Sequence, residues 1–187
     1  QTLLFRSEEW DKTFPKSDKV DHSKVTFVNR FGITLAADLY VPKIAVADKF
    51  PAIAVSGPFG AVKEQSSGLY AQTLAERGFL TIAFDPSFTG ESSGQPRSVA
   101  SPDINTEDFS AAVDYLATRP DVDAERIGIL GICGWGGFAI NAAANDTRIK
   151  ATVASTMYDI SRANANGYFD AADNADARDR KSTRLNS

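Results

Sequence analysis

Arg126-Ile127-Gly128-Ile129-Leu130-Gly131-Ile132-Cys133-Gly134-Trp135-Gly136-Gly137 reads as a buried strand that runs, across one sharp turn, into a helix. The apolar run is short and continuous, as in a strand covered on both faces. It predicts a strand over 126–131 and a helix over 136–145. A turn this tight forces its central residue into a strained backbone conformation, so the neighbours must be small, and glycines surround Cys133. A thiol at that place stands at a helix N-terminus, where the dipole and the free N–H groups favour negative charge. The competing reading is a free cysteine buried as a small apolar group.

Outward from this turn the chain alternates. Pro51-Ala52-Ile53-Ala54-Val55-Ser56 is a second short apolar strand, followed by the loop Gly57-Pro58-Phe59-Gly60. A helix is expected over about 63–77, with Leu69, Tyr70, Thr73 and Leu74 on its buried face and Gly78 closing it. A strand at 79–84 comes next, then a Ser/Gly/Pro-rich loop over 85–103. Thr106 is expected to cap a helix over 107–118 that buries Phe109, Val113 and Leu116. Upstream, 24–29 alternates and pairs as a hairpin with 33–41 across Arg30-Phe31-Gly32. Downstream, 149–156 is a further strand, and 161–178 reads as a helix start or an excursion loop. Strands alternating with helices predict a three-layer α/β/α sandwich, its sheet mostly parallel with an N-terminal antiparallel hairpin. Ligands of such sheets sit at the carboxyl ends of the strands, which directs attention to the loops after 56, 84, 131 and 156.

The composition excludes several classes. The 187 residues carry 20 Lys+Arg against 24 Asp+Glu, a net charge of −4, which argues against binding nucleic acid by phosphate neutralisation. No apolar run approaches the ~18 residues a membrane span needs. One Cys allows no internal disulfide, and no Cys/His cluster offers a metal site. No cofactor is expected, and the cysteine usage fits the cytoplasm.

Gly131-Ile132-Cys133-Gly134-Trp135-Gly136-Gly137 resembles the nucleophile elbow of the α/β-hydrolase fold, Gly-x-nucleophile-x-Gly, with Cys133 as the nucleophile. Trp135 departs from the pattern, since a small residue belongs there. Either its indole points away from the crossing strand or the elbow geometry is altered. Ser56-Gly57-Pro58-Phe59-Gly60 falls where the superfamily places its other oxyanion donor, often in a His-Gly-x-x string, with Ser56 in the histidine's place. Pro58 has no N–H, so the resemblance assigns the donor to Phe59 or else Gly60. Asp85-Pro86-Ser87-Phe88-Thr89-Gly90-Glu91-Ser92 resembles the Asp-x-Arg-Gly-x-Gly-x-Ser loop after the next strand. It retains Asp85, Gly90 and Ser92, and its implied role is to shape the rim of the site. The three loops span about 24–157 and resemble the dienelactone-hydrolase-like and peptidase-like branches most.

That resemblance implies a hydrolase of esters, lactones, thioesters or activated amides, acting on a small-molecule acyl substrate. Cys133 would attack, and the N–H groups of Gly134 and Phe59 would hold the oxyanion. The family's acid and His follow later strands. Asp159, after the strand at 149–156, is the one carboxylate here that matches an alternative acid position. His22, the single histidine, lies ahead of the predicted first strand and reads as a surface residue. The last nine residues, Asp179-Arg180-Lys181-Ser182-Thr183-Arg184-Leu185-Asn186-Ser187, resemble one reading frame of a sequencing adapter. The expectation is therefore an incomplete α/β-hydrolase domain over 1–178 with a non-native tail over 179–187, poorly expressed and without esterase activity in this form. Two other classes compete. A non-catalytic binding relative is supported by Trp135. A dinucleotide-binding oxidoreductase is suggested by the glycines, but they fall on the third strand–helix turn with the wrong spacing.

Overall fold

β1 (Val20–Val28) and β2 (Thr34–Pro42) form the N-terminal hairpin, antiparallel and paired from Val20↔Pro42 to Val28↔Thr34. This computed structural model describes residues 10–44, 48–159, 162–163 and 166–171. The chain continues as β3 (Phe50–Ser56), α1 (Ser66–Ala75), β4 (Leu80–Phe84), α2 (Pro102–Ala117), β5 (Val122–Ile132), α3 (Gly134–Asn145) and β6 (Ile149–Ser155). The sheet order is β1-β2-β4-β3-β5-β6. β2 meets β4 antiparallel, while β3 pairs parallel with both β4 and β5, and β5 pairs parallel with β6. The sequence at 161 and 164–165 and the whole of 172–187, including the expected non-native tail, lies outside the described residues.

The strands bury both faces with a period of two, and the two sets of side chains enter different cores. Ala52, Ala54, Ile82, Phe84, Ile127 and Ile129 face α2 and α3, packing on Phe109, Val113, Leu116, Phe138 and Ala142. Val55, Ala83, Leu130 and Ile132 face the other way, onto Ala71 and Ala75 of α1 and onto Phe14. That division is the three-layer α/β/α sandwich. Among the described residues no helix is long and apolar enough to cross a membrane.

Three expectations need correction. α1 does not bury Leu69 and Tyr70, which are 45% and 40% exposed; it buries Gly68, Ala71 and Ala75. Small residues let the helix lie close to the sheet, where the ring of Phe14 comes within 3.0 Å of a β-carbon placed on Gly68. α2 starts at Pro102 with Ser101 as its N-cap residue, so Thr106 lies inside the helix, where its hydroxyl accepts a hydrogen bond from Asn141. Proline at the first helical position costs no hydrogen bond and favours such a start. The third correction concerns His22. β1 begins four residues earlier than expected, so His22 is a strand residue opposite Tyr40 and only partly exposed. Its Nε2 lies 2.9 Å from Oδ1 of the fully buried Asp38, while Lys12 Nζ lies 2.9 Å from Oδ2.

Burial alone would raise the pKa of Asp38, but the hydrogen bonds and charges of His22 and Lys12 outweigh it and hold the carboxyl below its ordinary value. The folded chain therefore releases this proton more readily than the unfolded one. Asp38 contributes stability above the unfolded value of about 3.9, and that contribution is lost as pH falls through the lower folded value. Urea titrations of Asp38→Asn between pH 2 and 7 should show a flatter acid limb than wild type. An unchanged slope over that window would contradict the pairing.

Candidate active site

Cys133 occupies the turn between β5 and α3 with φ 58° and ψ −126°. A non-glycine residue in that left-handed region is strained by about 1–3 kcal/mol and persists only where its surroundings fix it. Here two bonds do so: the N–H of Cys133 donates to Ser155 O at the end of β6 (2.8 Å), and its carbonyl accepts from Gly136 N (3.0 Å). The turn also demands close packing. A β-carbon on Gly131 would lie 2.2 Å from the carbonyl oxygen of Trp135. The thiol is half-buried at the carboxyl edge of the sheet.

The indole of Trp135 points into the core, 3% exposed, on the side of Phe59 and Phe138. The residue that approaches the crossing strand is Gly136, whose β-carbon would meet Met157 Cβ at 2.9 Å and Ala154 Cβ at 3.2 Å. The small residue that the elbow needs is thus displaced by one position, and the strained conformation at Cys133 is kept.

The loop after β3 lies against this turn. The Phe59 ring meets Trp135 edge to face, centroids 4.4 Å apart, and covers the Cα of Gly134 so closely that a β-carbon there would sit 1.9 Å from Cε2. The N–H of Gly134, in the first turn of α3, has no acceptor within its own helix. Among the described residues the N–H of Phe59 has no backbone acceptor either. Ser56, which precedes this loop, is fully buried, and its hydroxyl donates to Phe84 O (3.0 Å), so it serves the sheet.

The loop after β4 forms the adjoining rim through its own polar contacts. Asp85 accepts from Lys63 N (2.8 Å), Glu91 N (2.9 Å) and Lys63 Nζ (3.0 Å). Ser92 Oγ donates to Asp85 O (2.6 Å) and accepts from Ala36 N (2.9 Å). Arg97 binds the carbonyls of Ser92 and Gly90. Behind this loop, Ser87, Asn29 and Asn105 all donate to the buried Asp108. Sequence reading gave no hint of Lys63, 1% exposed and bonded to three carboxylates, because nothing local marks a lysine for burial.

Asp159 follows β6 and is exposed. Its carboxylate accepts the N–H of Arg162 (2.9 Å) and its carbonyl that of Ala163 (2.9 Å), the contacts of a helix cap. His22 belongs to the β1–β2 hairpin and pairs with Asp38 there. Cys133, Gly134 and Phe59 are the sequence-derived site residues that the structure brings together.

A protein-family model described as X-Pro dipeptidyl-peptidase (S15 family) matches residues 32–184. Protein PA2218 of Pseudomonas aeruginosa is 70% identical over 164 residues, which cover 88% of this chain and 44% of that protein. Its crystal structure matches with a TM-score of 0.91 at 64% identity, over 100% of this chain and 58% of the other. Thiohydrolase aneE of Aspergillus aculeatus is 33% identical over 134 residues, 72% of this chain and 41% of that protein. The crystal structure of the α/β hydrolase GrgF from Penicillium sp. sh18 matches with a TM-score of 0.66 at 28% identity, over 72% of this chain and 45% of that one. The chain thus spans about half the length of the relatives it matches.

Proposed function

The chain belongs to the X-Pro dipeptidyl-peptidase (S15) family and has the α/β-hydrolase fold, and from those premises we propose a hydrolase that cleaves small acyl substrates through Cys133. The observation that carries this reading is the strained Cys133 backbone, seated at a helix N-terminus next to Gly134, over which the Phe59 ring of the loop after β3 packs. The name thiohydrolase borne by aneE fits the thioesters among these substrates.

In the proposed reaction the Cys133 sulfur bonds to the acyl carbon, and the carbonyl π electrons move onto oxygen. The N–H groups of Gly134 and Phe59 stabilise that oxyanion. Its collapse breaks the bond to the alkoxide or thiolate leaving group, which takes up the proton removed from the thiol. Water then adds to the acyl thioester, the C–S bond breaks, and a carboxylic acid and the free thiol result. The proton carrier is proposed to be a His–carboxylate pair from the part of the protein outside these 187 residues. Asp159 is the alternative acid, provided that its carboxylate leaves the cap of the 162–163 turn.

The test uses the full-length protein that contains these residues, with p-nitrophenyl acetate as the ester and iodoacetamide as the alkylating agent. Turnover should fall in proportion to alkylation of Cys133, and Cys133→Ala should lower kcat/KM by about 10³-fold or more. Unchanged turnover after complete alkylation of Cys133 would sink the cysteine mechanism. Absence of turnover in the unmodified protein would instead favour a non-catalytic acyl-binding role.

A further inference from the structure

Phe59 contributes a side chain as well as an N–H. Its ring stands closest to where a β-carbon on residue 134 would lie: the three nearest atoms, at 1.9, 2.3 and 3.0 Å, all belong to that ring. The same ring rests edge to face on Trp135 (4.4 Å, 79°) and Phe138 (5.9 Å, 82°), both residues of α3. Trp135 and Phe138 meet each other in the same geometry (5.1 Å, 78°). Three aromatic rings thus tie the loop after β3 to the first turns of α3. Such edge-to-face pairs have directional preferences that plain apolar packing lacks.

We propose that the Phe59 ring, seated on Trp135, is a positioning clasp that sets the distance between the Phe59 and Gly134 N–H groups. The inference rests on the cysteine-hydrolase reading and extends it from the backbone donors to the side chains that hold them. It also gives a reason for Trp135, the residue that departs from the elbow pattern. A small residue there would leave the Phe59 ring without its main support. The ring and Gly134 are then a matched pair, one filling the space that the other leaves open. Donor placement matters because an oxyanion forms only in the transition state, and displacements near 1 Å cost about 10²-fold in rate.

The experiment separates donor geometry from the integrity of the elbow. Iodoacetamide alkylates by displacing iodide, a step that forms no oxyanion, whereas ester cleavage does. In the full-length protein, Phe59→Ala should lower kcat for p-nitrophenyl acetate by about ten- to a hundred-fold with KM little changed. The rate of Cys133 alkylation should stay within about two-fold of wild type, well below that kcat loss. Phe59→Leu, which keeps apolar bulk over Gly134, should recover part of the loss. As a second arm, Gly134→Ala should lower the melting temperature, and adding Phe59→Ala should raise it again by removing the clash. Unchanged kcat in Phe59→Ala, parallel losses of turnover and alkylation, or a double variant no more stable than Gly134→Ala would each overturn the clasp. No turnover in the wild-type protein would overturn the cysteine-hydrolase reading and the clasp with it, a result distinct from any of these.

Discussion

Lys63→Met should destabilise the protein by about 3–5 kcal/mol, the range for removing one partner of a buried ion pair. Lys63 is 1% exposed, and its Nζ lies 3.0 Å from Asp85, 2.6 Å from Glu64 and 2.6 Å from Glu91. Burial pulls the pKa of this ammonium down, but the charge of Asp85 and the hydrogen bonds to Glu64 and Glu91 overcome that and hold it above its ordinary value. A raised lysine pKa contributes stability that is fully present below the unfolded value of about 10.4 and is lost as pH rises through the higher folded value. At neutral pH the whole contribution is therefore at stake. Without the ammonium, the fully buried Asp85 keeps only its backbone donors, and Glu91 loses a partner that orders the loop after β4. The double variant Lys63→Met/Asp85→Asn should recover part of the loss, because the uncompensated buried charge is gone. Urea unfolding of the three proteins measures this. A Lys63→Met midpoint equal to wild type would show that the carboxylates do not depend on the lysine.

The central strands were legible in the sequence because strands buried on both faces read as continuous apolar runs, and 51–56, 79–84 and 126–131 each fall within a residue or so of an end of the observed β3, β4 and β5. The elbow was legible for a different reason: only small residues permit the close approach at Gly131 and Gly136, so sterics left their mark on the sequence. The face of α1 was not legible. Periodicity gives most weight to large apolar residues, and α1 buries Gly68, Ala71 and Ala75 while Leu69 and Tyr70 face outward. The start of α2 was hidden because Ser101-Pro102 ends a stretch rich in turn residues, and the same two residues make a good helix start. His22 and Lys63 were misread or missed because their burial depends on charges brought from other strands and loops, Asp38 for the one and Asp85 and Glu91 for the other. Pairing across a sheet leaves no local pattern.

Trp135 shows how one departure from a motif can be absorbed. As a sequence feature it left two outcomes open, an indole turned away from the crossing strand or a changed elbow. The structure combines elements of both: the indole enters the core beside Phe59 and Phe138, and Gly136 takes over the contact with Ala154 and Met157. The backbone at Cys133 keeps a positive φ of 58° throughout. What the motif constrains is space along β6 and over the first turn of α3, and that space can be cleared at a neighbouring position.

That view makes the elbow glycines separable by experiment. Gly131→Ala should cost about 3 kcal/mol or more, at the upper end of overpacking effects. Its β-carbon would lie 2.2 Å from Trp135 O, 2.5 Å from Trp135 C and 2.8 Å from Gly136 N. All three are backbone atoms of the first turn of α3, so no side-chain rotation relieves the contact, and the helix start must move away from β5. Cys133 and Gly134 lie on the displaced segment, so ester turnover by the full-length protein should fall further than the lost stability alone explains. Gly137→Ala, six residues on and inside α3, should do the opposite. Nothing lies within 4 Å of its added β-carbon, and its backbone is ordinary helix. Alanine there should raise stability by about 0.5–1 kcal/mol through the smaller entropy of the unfolded chain, and turnover should hold near wild type. Denaturation midpoints and turnover for the pair read out both effects at once. Equal midpoints for Gly131→Ala and Gly137→Ala would mean that the strand–helix turn is not closely packed, and the strained Cys133 conformation would lose the contact that enforces it.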